Sequence, residues 1–435
     1  MADVEHTVSN PQQFPAPNAS TTPHGGTSRA TMAFIIATVM LDFLAFGIIA
    51  PVLPDLIKWF EGGNIARASD LTGYFAFAWN LMQFLFLPVL GALSDRFGRR
   101  PVILISCLGL GLDYIFMALA PSLKWLFVGR LISGITASNV STAFAYITDI
   151  TVPAERAKKF GMLGAAFGVG FVVGPAVGGL LGQHNLRAPF WAAAGLSLAN
   201  FLYGMFVLPE SLPKEKRAKS AWHMANPLGS LTLLRSHPEL AGLSIVVTLY
   251  YLAHQSLQNV WVLYTEYRYG WSRQSVGVSL AVVGICAVIV SGGLVGPYVK
   301  KFGERFSLAS GLLYGFLGFA GFGLAWRGWG AIAAIPFIAL WGVAGPAMQS
   351  LMSQRVDASS QGKLQGAINS LRALTGMAGP LLFTQVFSAA ISPTAQVHLP
   401  GAPYFLAGLL LVCALLVAVA VTRKHAPATA PETAA

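Results

Sequence analysis

A ten-residue stretch, Gly91-Ala-Leu-Ser-Asp-Arg-Phe-Gly-Arg-Arg100, lies between two long apolar segments and recurs 205 residues later as Gly296-Pro-Tyr-Val-Lys-Lys-Phe-Gly-Glu-Arg305. Gly91, Phe97, Gly98 and Arg100 fall on Gly296, Phe302, Gly303 and Arg305, and the same shift carries Gly174-Pro175 onto Gly379-Pro380. Two matches at one offset make a chain of two related halves. Each half holds six apolar segments near the roughly 20 residues that a bilayer-spanning helix needs. In lipid such segments must satisfy their own backbone, which leaves helices as the solution for them. Two parallel halves of this kind are the usual build of a transporter, with its site at the midplane between them.

The twelve segments run approximately 32–53, 72–93, 102–120, 124–147, 160–182, 189–208, 240–264, 274–298, 306–325, 329–350, 365–390 and 401–421. The expected fold class is therefore an all-α integral membrane protein of twelve transmembrane helices in two pseudo-symmetric six-helix bundles. The division is a disordered tail at 1–31, a first bundle at 32–208, a linker at 209–239, a second bundle at 240–421 and a tail at 422–435. The first tail is rich in Pro, Thr, Ser, Asn and Gln and poor in apolar residues, and no secretory signal peptide is expected there.

Only 10% of residues are charged, against about 25% in soluble domains, which excludes a soluble enzyme of this length. The net charge of +11 is not a nucleic-acid footprint, because it sits in short loops between apolar segments. With the N-terminus on side one, that side carries 19 basic residues and the other side 7. The bias places both termini and the central loop in the cytoplasm, with the protein multi-pass in a cell (inner) membrane. Cys107, Cys286 and Cys413 are scattered in apolar segments and offer no disulfide frame or metal cluster. No His-Glu-x-x-His, nucleophile elbow or P-loop is present, so neither a membrane enzyme nor an ATP-driven pump is expected.

Away from the segment ends, a few ionisable residues stand inside the apolar segments: Asp42, Asp113, Arg130, His254 and Arg372. A charge at a helix centre costs roughly 2.5–3.5 kcal/mol on insertion scales, so each is a functional candidate. Asp113 with Arg130 also reads as a structural ion pair, and a lone histidine such as His254 as a packing residue. A buried carboxylate such as Asp42 can load and release a proton as access alternates. Arg372 either attracts an anionic group, pairs with Asp42 or Asp113, or faces a gate. Amides and aromatics mark faces that cannot look at lipid tails: Phe46 one turn after Asp42; Asn80, Gln83 and Phe84 in helix two; His254, Gln255, Gln258, Asn259 and Trp261 in helix seven. Trp341, Met348 and Gln349 form a weaker face in helix ten, and Asn369 stands one turn from Arg372. These are the candidate substrate contacts.

Asp95, Arg96, Arg99 and Arg100, with Gly91 and Gly98, form a candidate conformational gate, although any basic loop would also fix topology. In the second copy Lys300 replaces the acid and Glu304 a base. Helix five carries Gly161, Gly164, Gly168, Gly170, Gly174, Gly178 and Gly179 with Pro175, a spacing that lets helices pack backbone to backbone and bend.

These residues together resemble the major facilitator superfamily, within it the twelve-helix drug:proton antiporters of the tetracycline efflux branch. The likeness covers nearly all of 33–420. It is carried by Gly91–Arg100, by Gly170-Phe-Val-Val-Gly-Pro-Ala-Val-Gly-Gly179, by Leu41-Asp42 through Pro51-Val-Leu-Pro54, by Leu112-Asp113-Tyr114, and by Gly129-Arg130-Leu-Ile-Ser-Gly134. Trp261-Val-Leu-Tyr-Thr-Glu266 and Gln361-Gly-Lys-Leu-Gln365-Gly366 add to it. The resemblance implies proton coupling through Asp42, Asp113 and Arg130, a gate at Asp95 and Arg99, no cofactor, and export of a small amphiphilic drug, either tetracycline, which in this branch arrives as a metal complex, or another; the internal repeat makes a functional monomer sufficient. One departure stands out. Where the tetracycline branch carries a histidine and an acid in helices eight and nine, this chain has Ala287 and Gly315. Two alternatives remain open: a metabolite or nutrient proton symporter of the same fold, and a non-transporting membrane receptor or assembly factor.

Overall fold

The computed structural model describes residues 27–136, 139–151, 153–217, 238–357 and 360–423. Residues 1–26 of the expected tail, 218–237 of the linker and 424–435 lie outside the described residues. The described regular structure is helical throughout. The first half comprises α1 (Thr27–Ile49), α2 (Leu53–Phe60), α3 (Ile65–Phe97), α4 (Arg99–Leu119), α5 (Leu123–Thr136), α6 (Asn139–Ile150), α7 (Pro153–His184) and α8 (Ala188–Val207). The second comprises α9 (Pro238–Tyr269), α10 (Arg273–Ile289), α11 (Val295–Leu324), α12 (Gly328–Trp341), α13 (Ala344–Ser353), α14 (Gln361–Ile391) and α15 (Ala402–Arg423). Among the described residues ten helical stretches are long and apolar enough to cross a membrane.

Boundaries differ from the expected ones for local reasons. Helix two starts at Ile65 rather than 72, because the Asn64 side chain caps it by accepting the Arg67 amide at 3.0 Å. The tenth segment splits into α12 and α13, since Pro346 has no N–H to bond back to Gly342. Segments eight and nine run on through a π turn at Val290–Leu294 and reverse at Gly303, where φ is +78°. Gly98 ends α3 at φ +108°. The two copies of the ten-residue stretch thus break their helices at the same glycine, a conformation other residues rarely adopt.

Helix packing repeats with the sequence. Gly174 on α7 lets the backbone of Gly47 on α1 approach, and at the offset of 205 Gly379 on α14 lets Leu252 and Gln255 of α9 approach. The two halves touch mainly where α7 meets α10 and where α3 meets α14, and the offset exchanges these two interfaces.

Both interfaces are closed at one end only. At the end opposite the termini, Arg273 Nε pairs with Asp55 Oδ2 at 2.7 Å, Lys58 pairs with Glu266 and with Asp55, and Gln183 Nε2 donates to Gln274 Oε1 at 3.0 Å. Ser388 Oγ donates to Asp70 Oδ2 at 3.0 Å. From there Gly179 opposes Gly277, Val172 opposes Gly284, and Gly168 opposes Val288; beyond these, an added Cβ at Gly161, Gly164, Gly292 or Gly293 would meet nothing within 4 Å. Gly91 on α3 and Gly362 on α14 are likewise open. The bundle opens towards the end that carries the termini.

Candidate functional site

The first half keeps its charges inside. Asp113 is 2% exposed on α4, and Gly129 on α5 gives it room: a Cβ there would stand 3.2 Å from Asp113 Oδ1. Neither carboxylate oxygen makes a close hydrogen bond, with Ser133 and Arg130 as its polar neighbours, and Arg130 Nε on the same α5 makes none either. The structural ion pair is therefore not closed, and the two charges attract at longer range through a buried, low-dielectric interior. The Arg130 guanidinium lies 5.4 Å from the Trp79 ring, and Trp79 stacks on Phe46 at 5.8 Å. Asp42, half-buried on α1, accepts from Asn200 Nδ2 at 3.3 Å, and the same amide donates to Thr38 O. Tyr114 lies within range of the charges of Asp42, Asp113 and Arg130 alike. Trp79 and Asn200 were not among the sequence candidates. An amide in the middle of apolar helix six was a legible signal for Asn200; nothing in the sequence marked Trp79.

The second half presents amides and rings. Asn259 Nδ2 donates to Gln255 Oε1 at 3.2 Å, and Gln349 Nε2 to Gln365 Oε1 at 3.0 Å. The His254 ring lies 5.5 Å from Trp341, and the Arg372 guanidinium 5.5 Å from the Tyr251 ring. Gln258, Gln349, Asn369 and Arg372 are exposed, while Asn80, Gln83 and Phe84 are half-buried on α3. Asn80 Oδ1 is beside Gly376 of α14, where the halves meet. Trp261 and Met348 are not brought into this group. Trp261 is 1% exposed, donates to Ser279 Oγ at 2.9 Å and packs on Phe322 and Trp271; Met348 is buried in the core. Gly315 accommodates Trp341, since a Cβ there would stand 2.8 Å from the ring, so the position has no room for an acidic side chain. Ala287 is exposed on α10.

The helix-five motif serves two neighbours at once. Gly170, Gly174 and Gly178 take the backbone of α1, while Gly179 and the Pro175 carbonyl meet Arg273 and Gly277 of α10. α7 remains one continuous helix through Pro175. In the candidate gate, Arg99 binds Asp95, Asp149 Oδ2 at 3.1 Å and Ser94 Oγ at 2.6 Å. Glu210, beyond α8, accepts the amides of Arg99 at 2.8 Å and Arg100 at 3.3 Å, capping α4 where the helix dipole favours an anion. A Cβ at Gly98 would strike that carboxylate. Arg96 is exposed.

Two related helical halves, closed together at one end and parted at the other around buried charge, define a membrane transporter rather than an enzyme. The chain belongs to the Major Facilitator Superfamily, whose profile matches residues 35–380. It is 40% identical to the tetracycline resistance protein, class C, of Escherichia coli over 84% of this chain and 91% of that one. It is 35% identical to the class B protein of Escherichia coli over 83% and 89%. Among solved structures it is similar to the human organic anion transporter MFSD10 (TM-score 0.67, 24% identity, 91% of this chain and 100% of the other) and to a D-xylose–proton symporter (TM-score 0.70, 18% identity, 90% and 97%), which speak for the fold alone.

Proposed function

We propose that this protein exports a small amphiphilic drug, with tetracycline as the first candidate, in exchange for protons by alternating access, as a monomer with both termini in the cytoplasm. The tetracycline resistance relatives support drug efflux. The observation that carries proton coupling is the Asp113 carboxylate, buried with no close ion pair and with Ser133 and Arg130 as its polar neighbours. Such a group is stable only while its charge is neutralised, either by a proton or by a nearby cation.

In the proposed cycle Asp113 and Asp42 take up protons when the far end opens. In the state seen here, open to the termini, protons leave and substrate enters. Recharging Asp113 beside Arg130 then favours the return. One pH unit supplies roughly 1.4 kcal/mol per proton, and 100 mV about 2.3 kcal/mol per charge moved. Aromatic and amide groups of α9, α13 and α14 hold the substrate, and a substrate arriving as a metal complex brings that ion as cargo.

Reconstitution with the terminal end facing outwards tests this reading. With an acidic lumen, added tetracycline should alkalinise the lumen, and Asp113→Asn should reduce that signal at least about tenfold while drug–drug exchange persists. Drug uptake with no proton movement, or full coupling in Asp113→Asn combined with Asp42→Asn, rules out the proposal.

A further inference from the structure

We propose that the second half contains an anion-recognising subsite centred on Arg372, and that the transported molecule carries an ionised oxygen group, carboxylate or enolate, on a planar ring system. This inference names the substrate class of the export reading above and rests on it.

The placement of Arg372 is fixed by the helix it stands on. Gln365, Asn369, Arg372 and Gly376 recur at i, i+4, i+7 and i+11 of α14 and share one stripe. Gly376 shows where that stripe points: a Cβ there would stand 3.0 Å from Asn80 Oδ1 of the first half and 3.9 Å from Gln255 Nε2 of α9. Arg372 therefore faces the gap between the halves, one turn from Gly376 and on the side that opens to the termini. It is exposed. A charged side chain midway along a spanning helix is tolerated where it meets water or a partner rather than lipid.

Its partners leave its charge unanswered. Among the described residues no carboxylate makes an ion pair with Arg372; the guanidinium rests on the Tyr251 ring at 5.5 Å, and Tyr250 and His254 are the ionisable neighbours within its field. The Tyr251 ring answers the guanidinium only through its face, and a guanidinium can fork onto a carboxylate or a similar pair of oxygens. The acids of the midplane, Asp42 and Asp113, belong to the other half. Beside Arg372, the half-buried Tyr250 and His254 rings pack at 4.7 and 5.5 Å on the buried Trp341 ring, so aromatic side chains adjoin the anion site.

The test uses purified full-length protein and three probes. Tetracycline has an ionised tricarbonyl system at neutral pH; fluorescein is an anionic xanthene and rhodamine 6G a cationic one. Binding is read by fluorescence, and uptake in proteoliposomes. Arg372→Gln should raise Kd for tetracycline and fluorescein about tenfold or more and leave rhodamine 6G within about twofold. Arg372→Lys, which keeps the charge but not the fork, should recover part of the loss. The proposal is overturned if Arg372→Gln binds tetracycline and fluorescein like wild type, if it loses all three probes equally, or if wild type binds rhodamine 6G and neither anion. Anion selectivity that depends on Arg372, without drug-triggered proton movement, would support the subsite and remove the proton-exchange reading alone.

Discussion

The two halves share a scaffold and differ in what they place inside it. At the offset of 205 residues, Asp42, Asp113 and Arg130 fall on Val247, Gly318 and Ile335. The second half has no buried acid at those places, and presents Arg372, amides and rings to the gap instead. The stretch between helices two and three differs in the same sense. In the first half, Arg99 is held by Asp95 and Asp149, and Glu210 caps α4. In the second, Glu304 accepts from Ser350 Oγ and Gln354 Nε2, both at 2.8 Å. Backbone geometry is retained at Gly98 and Gly303 in both. Duplicated packing preserves the glycine turn, and each interior is then free to take a different chemistry: in the proposed cycle, charge handling in the first half and ring and anion recognition in the second.

The proposed cycle requires the halves to move against each other, and the far end is where that motion can be stopped. Gln183 and Gln274 touch across the halves. Gln183→Cys with Gln274→Cys should cross-link on oxidation and abolish drug–proton exchange, and reduction should restore it. Transport that continues through a complete cross-link would mean that the halves do not part there.

A smaller effect is expected from the ion pairs at the same end. Asp55 and Lys58 lie in the first half, Glu266 and Arg273 in the second, and each half contributes one acid and one base. Opening therefore leaves each half neutral. Asp55→Asn removes a charged hydrogen bond worth about 1.5–3 kcal/mol and should shift the balance towards the far-end-open state, raising thiol labelling of a cysteine placed at Gln274. Asp55→Arg with Arg273→Asp should restore the balance; unchanged labelling in Asp55→Asn would deny the pairs that role.

The smallest change concerns the first-half cap. Glu210→Gln keeps the shape but loses the charge opposite Arg217 and the α4 dipole. It should cost about 0.5–2 kcal/mol, read as a lower melting temperature. The matching Glu304→Gln, at a carboxylate that accepts from the neutral Ser350 and Gln354 side chains, should cost less. Equal losses would erase the contrast between the two copies.

The sequence by itself determined the helical membrane fold, the two halves and the family, because hydrophobic length and a repeated glycine turn are properties of the chain alone. It marked Asp42, Asp113, Arg130 and Arg372 as candidates by the cost of burying charge. It could not say which of them meet. That Asp113 and Arg130 face each other without closing, that Asn200 reaches Asp42, that Trp79 lies under Arg130, and that Trp261 turns into the core follow from how the helices are rotated. The four-charge contact at the far end joins residues from α2, α9 and the start of α10. Each of those charges reads in sequence as an ordinary loop residue. Only the docking of one half on the other, set by backbone contact at Gly179 and Gly277, brings them within reach.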